Sequence, residues 1–130
     1  MMPAAASLKI LIVDDQQSMR LLIRGGLQQL GFKQFDEAPD GEAALRTLVT
    51  SPANLIISDF NMPKLDGLGL LRAVRVYPAT AKTAFIMLTG RGDKDLVQRA
   101  VQFGVNNFLV KPFTVATLQE KIEAVFGPVT

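Results

Sequence analysis

Five short apolar runs, each separated from the next by a longer stretch of helical periodicity, restrict this chain to very few architectures. The runs are KILIV (9–13), QFDEA (34–38), NLIIS (54–58), AFIML (84–88) and NFLV (107–110). Three of them are continuously apolar at their centres, the pattern of strands covered on both faces rather than on one. QFDEA carries two acids and is the weakest of the set. Between the runs, Met19, Leu22, Ile23, Leu27 and Leu30 recur at helical spacing and stop at Gly31. Asp40 is placed to cap GEAALRTLVT, Asp66 to cap GLGLLRAVRVY ahead of Pro78, and Thr114 to cap VATLQEKIEAVF ahead of Gly127-Pro128. Asp93 and Asp95 favour the start of DLVQRAVQF, which Gly104 closes. Gly25-Gly26 breaks the pattern inside the first helix, where each glycine costs roughly 1 kcal/mol against alanine. Close packing of a neighbouring helix would account for them.

Strands alternating with helices imply right-handed crossovers and a parallel sheet with helices on both faces. The expected architecture is therefore α/β, a doubly wound five-stranded parallel sheet with five helices. At 130 residues the chain suits one domain. Residues 1–7 read as a disordered N-terminal lead to a domain over residues 8–127, with no second domain attached.

In a parallel sheet all strand ends of one kind share an edge, and ligands bind at the carboxyl edge where strand order reverses. The first strand ends in Asp14-Asp15, the third in Asp59, the fourth in Thr89 and the fifth in Lys111. Singly, each has a structural explanation: a helix cap, a turn, or a solvated charge. Jointly, three carboxylates, a hydroxyl and an ammonium on one edge describe a site. Clustered carboxylates raise one another's pKa unless a cation neutralises them.

Two absences narrow the chemistry. With no cysteine and no histidine, the chain has no disulfide, no thiolate nucleophile, no Ser-His-Asp arrangement and no soft metal site. A metal here must be held by oxygen, which points to Mg²⁺ or Ca²⁺; a partly hydrated site with few carboxylates suits Mg²⁺. The net charge of +2 comes from scattered bases, so no nucleic-acid stripe is present. MMPAAASLK lacks the regions of a signal peptide, and no apolar run reaches membrane-spanning length. A cytoplasmic location with no membrane insertion is the default. A carboxylate in such a site can attack phosphorus to form an aspartyl phosphate, with the other groups neutralising charge.

LIVDD, SDFNMPKLDG, LTG and NNFLVKPF, in that order, resemble the motifs of the receiver domains of two-component response regulators. The likeness runs from Leu8 to Phe126 and is nearest to the single-domain chemotaxis regulators. The spacings match as well: 45 residues from Asp14 to Asp59, 30 to Thr89 and 22 to Lys111. The resemblance implies a flavodoxin-like strand order of 2-1-3-4-5 and assigns roles. Asp59 would accept a phosphoryl group from a sensor histidine kinase. Asp15 would hold Mg²⁺ directly, Asp14 through water and Asn61 through its backbone carbonyl, with Asp59 completing the set. Thr89 and Lys111 would neutralise the phosphoryl oxygens, and Lys111-Pro112 would be a cis peptide. Thr89 and Phe108 would form the switch pair, with Gly90 leaving room for the hydroxyl to move. Asn61 and Arg91 would tune loss of the phosphoryl group.

The chain departs from the chemotaxis regulators at Phe108, where they usually carry tyrosine; the only tyrosine, Tyr77, lies elsewhere. By resemblance the output surface is the fourth helix, fifth strand and fifth helix, acting on a flagellar motor switch. The alternative is relay to a histidine phosphotransfer protein or a kinase. The implied protein is a monomeric switch, not an enzyme on other substrates. A haloacid-dehalogenase-like phosphatase needs two aspartates at i and i+2 after one strand, but Asp14-Asp15 are adjacent and Asp59 is followed by Asn61. A flavodoxin-like cofactor binder needs a phosphate loop where DDQQSMR places two negative charges.

Overall fold

A computed structural model of the chain describes residues 4–90 and 93–128. After one 3-10 turn at Ala5–Ser7 come β1 (Lys9–Val13), α1 (Gln17–Gln29), β2 (Gln34–Ala38), α2 (Gly41–Thr50) and β3 (Leu55–Asp59). They are followed by α3 (Gly67–Val76), β4 (Ala84–Thr89), α4 (Lys94–Gln102), β5 (Asn107–Val110) and α5 (Val115–Phe126). The five strands form one sheet in the order β2-β1-β3-β4-β5, and every pairing is parallel. This is the expected doubly wound fold.

The period-two alternation of strand side chains divides the core into two layers. Ile10, Ile12, Leu55, Ile57, Ile86 and Leu88 face Ile23 and Leu27 of α1 and Leu118 and Ile122 of α5. Their neighbours Leu11, Val13, Ile56, Phe85 and Met87 face α2, α3 and α4 through Leu48, Leu71, Val74 and Leu96. The central strands are thus buried on both sides, which is why they read as unbroken apolar runs.

Three caps form where the sequence places them. Asp40 accepts from the Ala43 N–H, Asp66 from the Gly69 N–H, and Thr114 forms a reciprocal capping box with Thr117. Asp93 does not cap α4 with its side chain; its Oδ2 accepts instead from Gly90 N at 2.9 Å. The third helix stops one residue short of Tyr77, which is its exposed C-cap. Strands β3 and β4 run one residue further than the apolar runs, because Asp59 pairs with Leu88 and Thr89 with Val110 in the ladder. The disordered lead expected over residues 1–7 is corrected for residues 4–7. Ala5 is buried in the core, and the Ser7 and Leu8 N–H groups close the turn onto Ala4 and Ala5.

The glycine pair in α1 separates into two cases. A Cβ at Gly26 would lie 3.1 Å from Leu118 Cδ2 of α5, so close helix packing explains that glycine. A Cβ at Gly25 would meet nothing within 4 Å, and packing explains nothing there. Gly25→Ala is therefore expected to raise stability by about 0.5–1 kcal/mol in urea unfolding. Gly26→Ala should fall short of that gain, because Leu118 must give way.

Candidate functional site

The carboxyl edge of the sheet gathers the residues that the sequence places at strand ends. At the end of β1, Asp14 donates its N–H to Ala38 O of β2 at 3.1 Å. Its carboxylate is buried; Oδ1 accepts from Gln16 N at 2.9 Å. Oδ2 has no partner and is the one such buried side-chain polar atom among the described residues. Burial pushes the Asp14 carboxyl above its ordinary pKa, the Gln16 N–H opposes that, and the Asp59 charge adds to the rise.

Asp59, the buried last residue of β3, stands across from Asp14. Carboxylate oxygens of Asp14, Asp15 and Asp59 all lie within 4.8 Å of one another. Lys111 Nζ reaches Asp59 Oδ1 at 2.6 Å, a short charge-assisted contact. Lys111 follows β5 and donates its N–H to Thr89 O at 2.8 Å, which ties the ammonium to the end of β4. The Lys111-Pro112 peptide is cis.

Thr89 is buried at the end of β4. Phe108 pairs with Met87 in the β4–β5 ladder and Thr89 with Val110. Alternation therefore puts the Thr89 hydroxyl and the Phe108 ring on the same face of the sheet. The ring is half-buried against the cluster that α3 and α4 cover. Among the described residues, the nearest atom to a Cβ at Gly90 would be Asp93 Oδ2, at 3.5 Å. Asn61 is exposed in the turn between β3 and α3. Arg91 lies outside the described residues.

An oxygen-only cluster with one buried, unpartnered carboxylate oxygen fits a hard divalent cation. The three acids offer ligand atoms on one side, and the Lys111 ammonium offsets charge on the other.

Sequence reasoning missed Arg20. Its Nη1 donates to Asp14 O at 2.6 Å and its Nε to Glu37 Oε1 at 3.0 Å. The available signal was the pair of acids in QFDEA: charged side chains in a strand flanked by helices call for cationic partners, and α1 carries Arg20 and Arg24. It also missed Gly67, whose first-turn position in α3 lies directly against the Asp59 carbonyl.

The fold and site together define an α/β domain with a doubly wound parallel sheet whose carboxyl edge carries an acid cluster and an opposed lysine. Residues 10–123 match the response regulator receiver domain, and the chain belongs to that family. It is 56% identical over 126 residues to a probable chemotaxis protein CheY of Rhizobium etli, covering 97% of this chain and 98% of that one. It is 43% identical to the chemotaxis protein CheY of Pseudomonas aeruginosa, over 92% of this chain and 96% of the other. Among solved structures it resembles Vibrio cholerae CheY4, with a TM-score of 0.84, 33% identity, and coverage of 96% and 99% of the two chains. A putative response regulator from Chloroflexus aurantiacus superposes with a TM-score of 0.87 at 28% identity, covering 93% and 98%. No helix among the described residues is long and apolar enough to cross a membrane.

Proposed function

We propose that the chain is a stand-alone response regulator whose Asp59 accepts a phosphoryl group from the phosphohistidine of a sensor kinase in the cytoplasm. The observation that carries this reading is the Asp59–Lys111 contact at 2.6 Å, set opposite an acid cluster with an unpartnered buried oxygen. An oxygen of the Asp59 carboxylate attacks phosphorus, the new O–P bond forms as the P–N bond breaks, and the electron pair leaves with the imidazole. Asp14, Asp15, Asp59 and the Asn61 carbonyl would hold Mg²⁺, which supplies charge neutralisation for the acid cluster and the phosphoryl oxygens. Lys111 compensates charge on a phosphoryl oxygen and the Thr89 hydroxyl donates to another. Movement of Thr89 leaves space on the face it shares with Phe108, so the ring turns inward and β5 and α4 change their surface.

In this reading that surface meets the protein partner. Val101 on α4 and Val110 on β5 are both exposed. The names of the relatives favour chemotaxis, and the partner in this proposal is a flagellar motor switch.

The test is incubation with Mg²⁺ and a small acyl phosphate, followed by mass spectrometry of wild type and Asp59→Ala. One base-labile phosphoryl group is expected on the wild type and none on the variant. A wild type that takes up no phosphate, or a variant that still does, overturns the proposal. Selective retention of the phosphorylated form by motor-switch protein then tests the output.

A further inference from the structure

The Asp14–Asp15 peptide is held in an unusual way. β1 ends at Val13, so the Asp14 carbonyl has no ladder partner, and a guanidinium supplies the hydrogen bond instead. Arg20 Nη1 lies 2.6 Å from Asp14 O. The same guanidinium places Nε 3.0 Å from Glu37 Oε1, and Arg24 Nη1 holds the other oxygen of Glu37 at 3.1 Å. Glu37 sits in β2 opposite Ile12 of β1, so the brace is anchored in the sheet. Arg20 is largely buried, with its side chain 16% exposed.

Of the four polar groups of Asp14, three are therefore pinned: the N–H by Ala38 O, the carbonyl by Arg20, and Oδ1 by the Gln16 N–H. Only Oδ2 is left over, and it is buried. Asp15 is different. Its side chain is exposed and makes no hydrogen bond or ion pair among the described residues. What the structure holds in place at Asp15 is its backbone. Because the peptide unit is planar, fixing the Asp14 oxygen also fixes the plane that carries the Asp15 N–H and Cα.

We propose that Arg20 is a positioning residue for the divalent-cation site: by gripping the Asp14–Asp15 peptide it orients the Asp15 carboxylate toward Asp14 and Asp59. The inference rests on the reading of those three acids as a cation site. It has a sign that simple electrostatics does not share. A guanidinium acting as a nearby charge repels a cation, so its removal would tighten binding. Acting through geometry, its removal loosens binding, as loss of groups that orient metal ligands commonly does by 10–100-fold.

The test is direct Mn²⁺ titration, with free Mn²⁺ read by electron paramagnetic resonance, of wild type, Arg20→Lys, Arg20→Gln and Asp15→Asn. Circular dichroism confirms that each is folded. Lysine keeps the charge but lacks the planar fork that reaches two acceptors. Arg20→Lys and Arg20→Gln are both expected to bind about tenfold more weakly or worse. A fold-only role for Arg20 would lower the melting temperature and leave the affinity of the folded protein unchanged. Wild-type affinity in Arg20→Lys, or tighter binding in either variant, overturns the proposal. Should Arg20→Gln not fold, Arg20→Lys decides alone. The Asp15→Asn control separates the two levels: wild type that binds no Mn²⁺, or Asp15→Asn that binds it unchanged, defeats the cation-site reading and the Arg20 proposal with it.

Discussion

Gly67→Ala is expected to lower stability by about 3 kcal/mol or more, a fall of roughly 10 °C in melting temperature for a domain of this size. A Cβ at this position would lie 2.3 Å from Asp59 O, 2.8 Å from Met87 Sδ and 3.0 Å from Phe60 Cα. Two of those three atoms are backbone and cannot swing aside. The helix start is already drawn in tightly, since Gly67 N donates to Phe60 O at 2.8 Å. Relief requires moving α3 away from the end of β3, which would disturb Asp59 itself. Gly69→Ala is the internal comparison. Its Cβ would meet Leu65 Cδ1 at 2.5 Å, the far end of a flexible side chain that can rotate away. Gly69→Ala should therefore cost far less, and equal melting temperatures for the two variants would refute the close-approach explanation.

Asp14→Asn is expected to reverse its effect on stability when a divalent cation is added. Without cation, wild type holds a buried carboxylate with Oδ2 unpartnered, and burial followed by the Asp59 charge raises its pKa. A folded-state pKa above the unfolded one means that the native state binds the proton more tightly. The stability Asp14 contributes is then complete below the unfolded pKa and is lost as pH rises through the folded one. Wherever it is ionised without a cation, the group is a liability. Asparagine keeps an oxygen for the Gln16 N–H and presents an amide toward Asp59, so a gain of about 1–3 kcal/mol is expected. With Mg²⁺ at about 1,000 times its dissociation constant, wild type gains roughly 4.1 kcal/mol, while the variant gains little. Thermal melts with and without Mg²⁺ at pH 7 check the reversal. Repeating them at falling pH should shrink the cation-free gap as Asp14 takes up its proton. A variant less stable than wild type without cation would count against this account.

Much of the fold was legible because its causes are local or periodic. The two-sided burial of β1, β3 and β4 shows as unbroken apolar runs, and Asp40, Asp66 and Thr114 cap helices whose starts they mark. Asp93 shows the limit of that logic. It sits at a cap position, yet its carboxylate closes the Gly90 turn instead, a choice between two nearby N–H donors that spacing cannot settle. The lead was misjudged for a related reason. AAASL carries no periodicity, and the burial of Ala5 in the core is a tertiary contact.

The candidate site was legible to the extent that parallel strands share an edge. Strand alternation alone placed Asp14, Asp15, Asp59, Thr89 and Lys111 together, since every strand of a parallel sheet ends on the same side. What the tertiary structure decided is which atoms are satisfied. Lys111 reaches Asp59 Oδ1, Ala38, Gln16 and Arg20 take up all of Asp14 except Oδ2, and Gly26 but not Gly25 faces another helix. The Lys111–Asp59 and Gly26–Leu118 contacts depend on the relative placement of groups far apart in sequence, and even the short-range Asp14 contacts depend on distances of a few tenths of an ångström. Periodicity and residue type carry the direction a side chain takes from its own backbone. They do not carry the distance to its partner, which arises only when the two layers of helices close on the sheet.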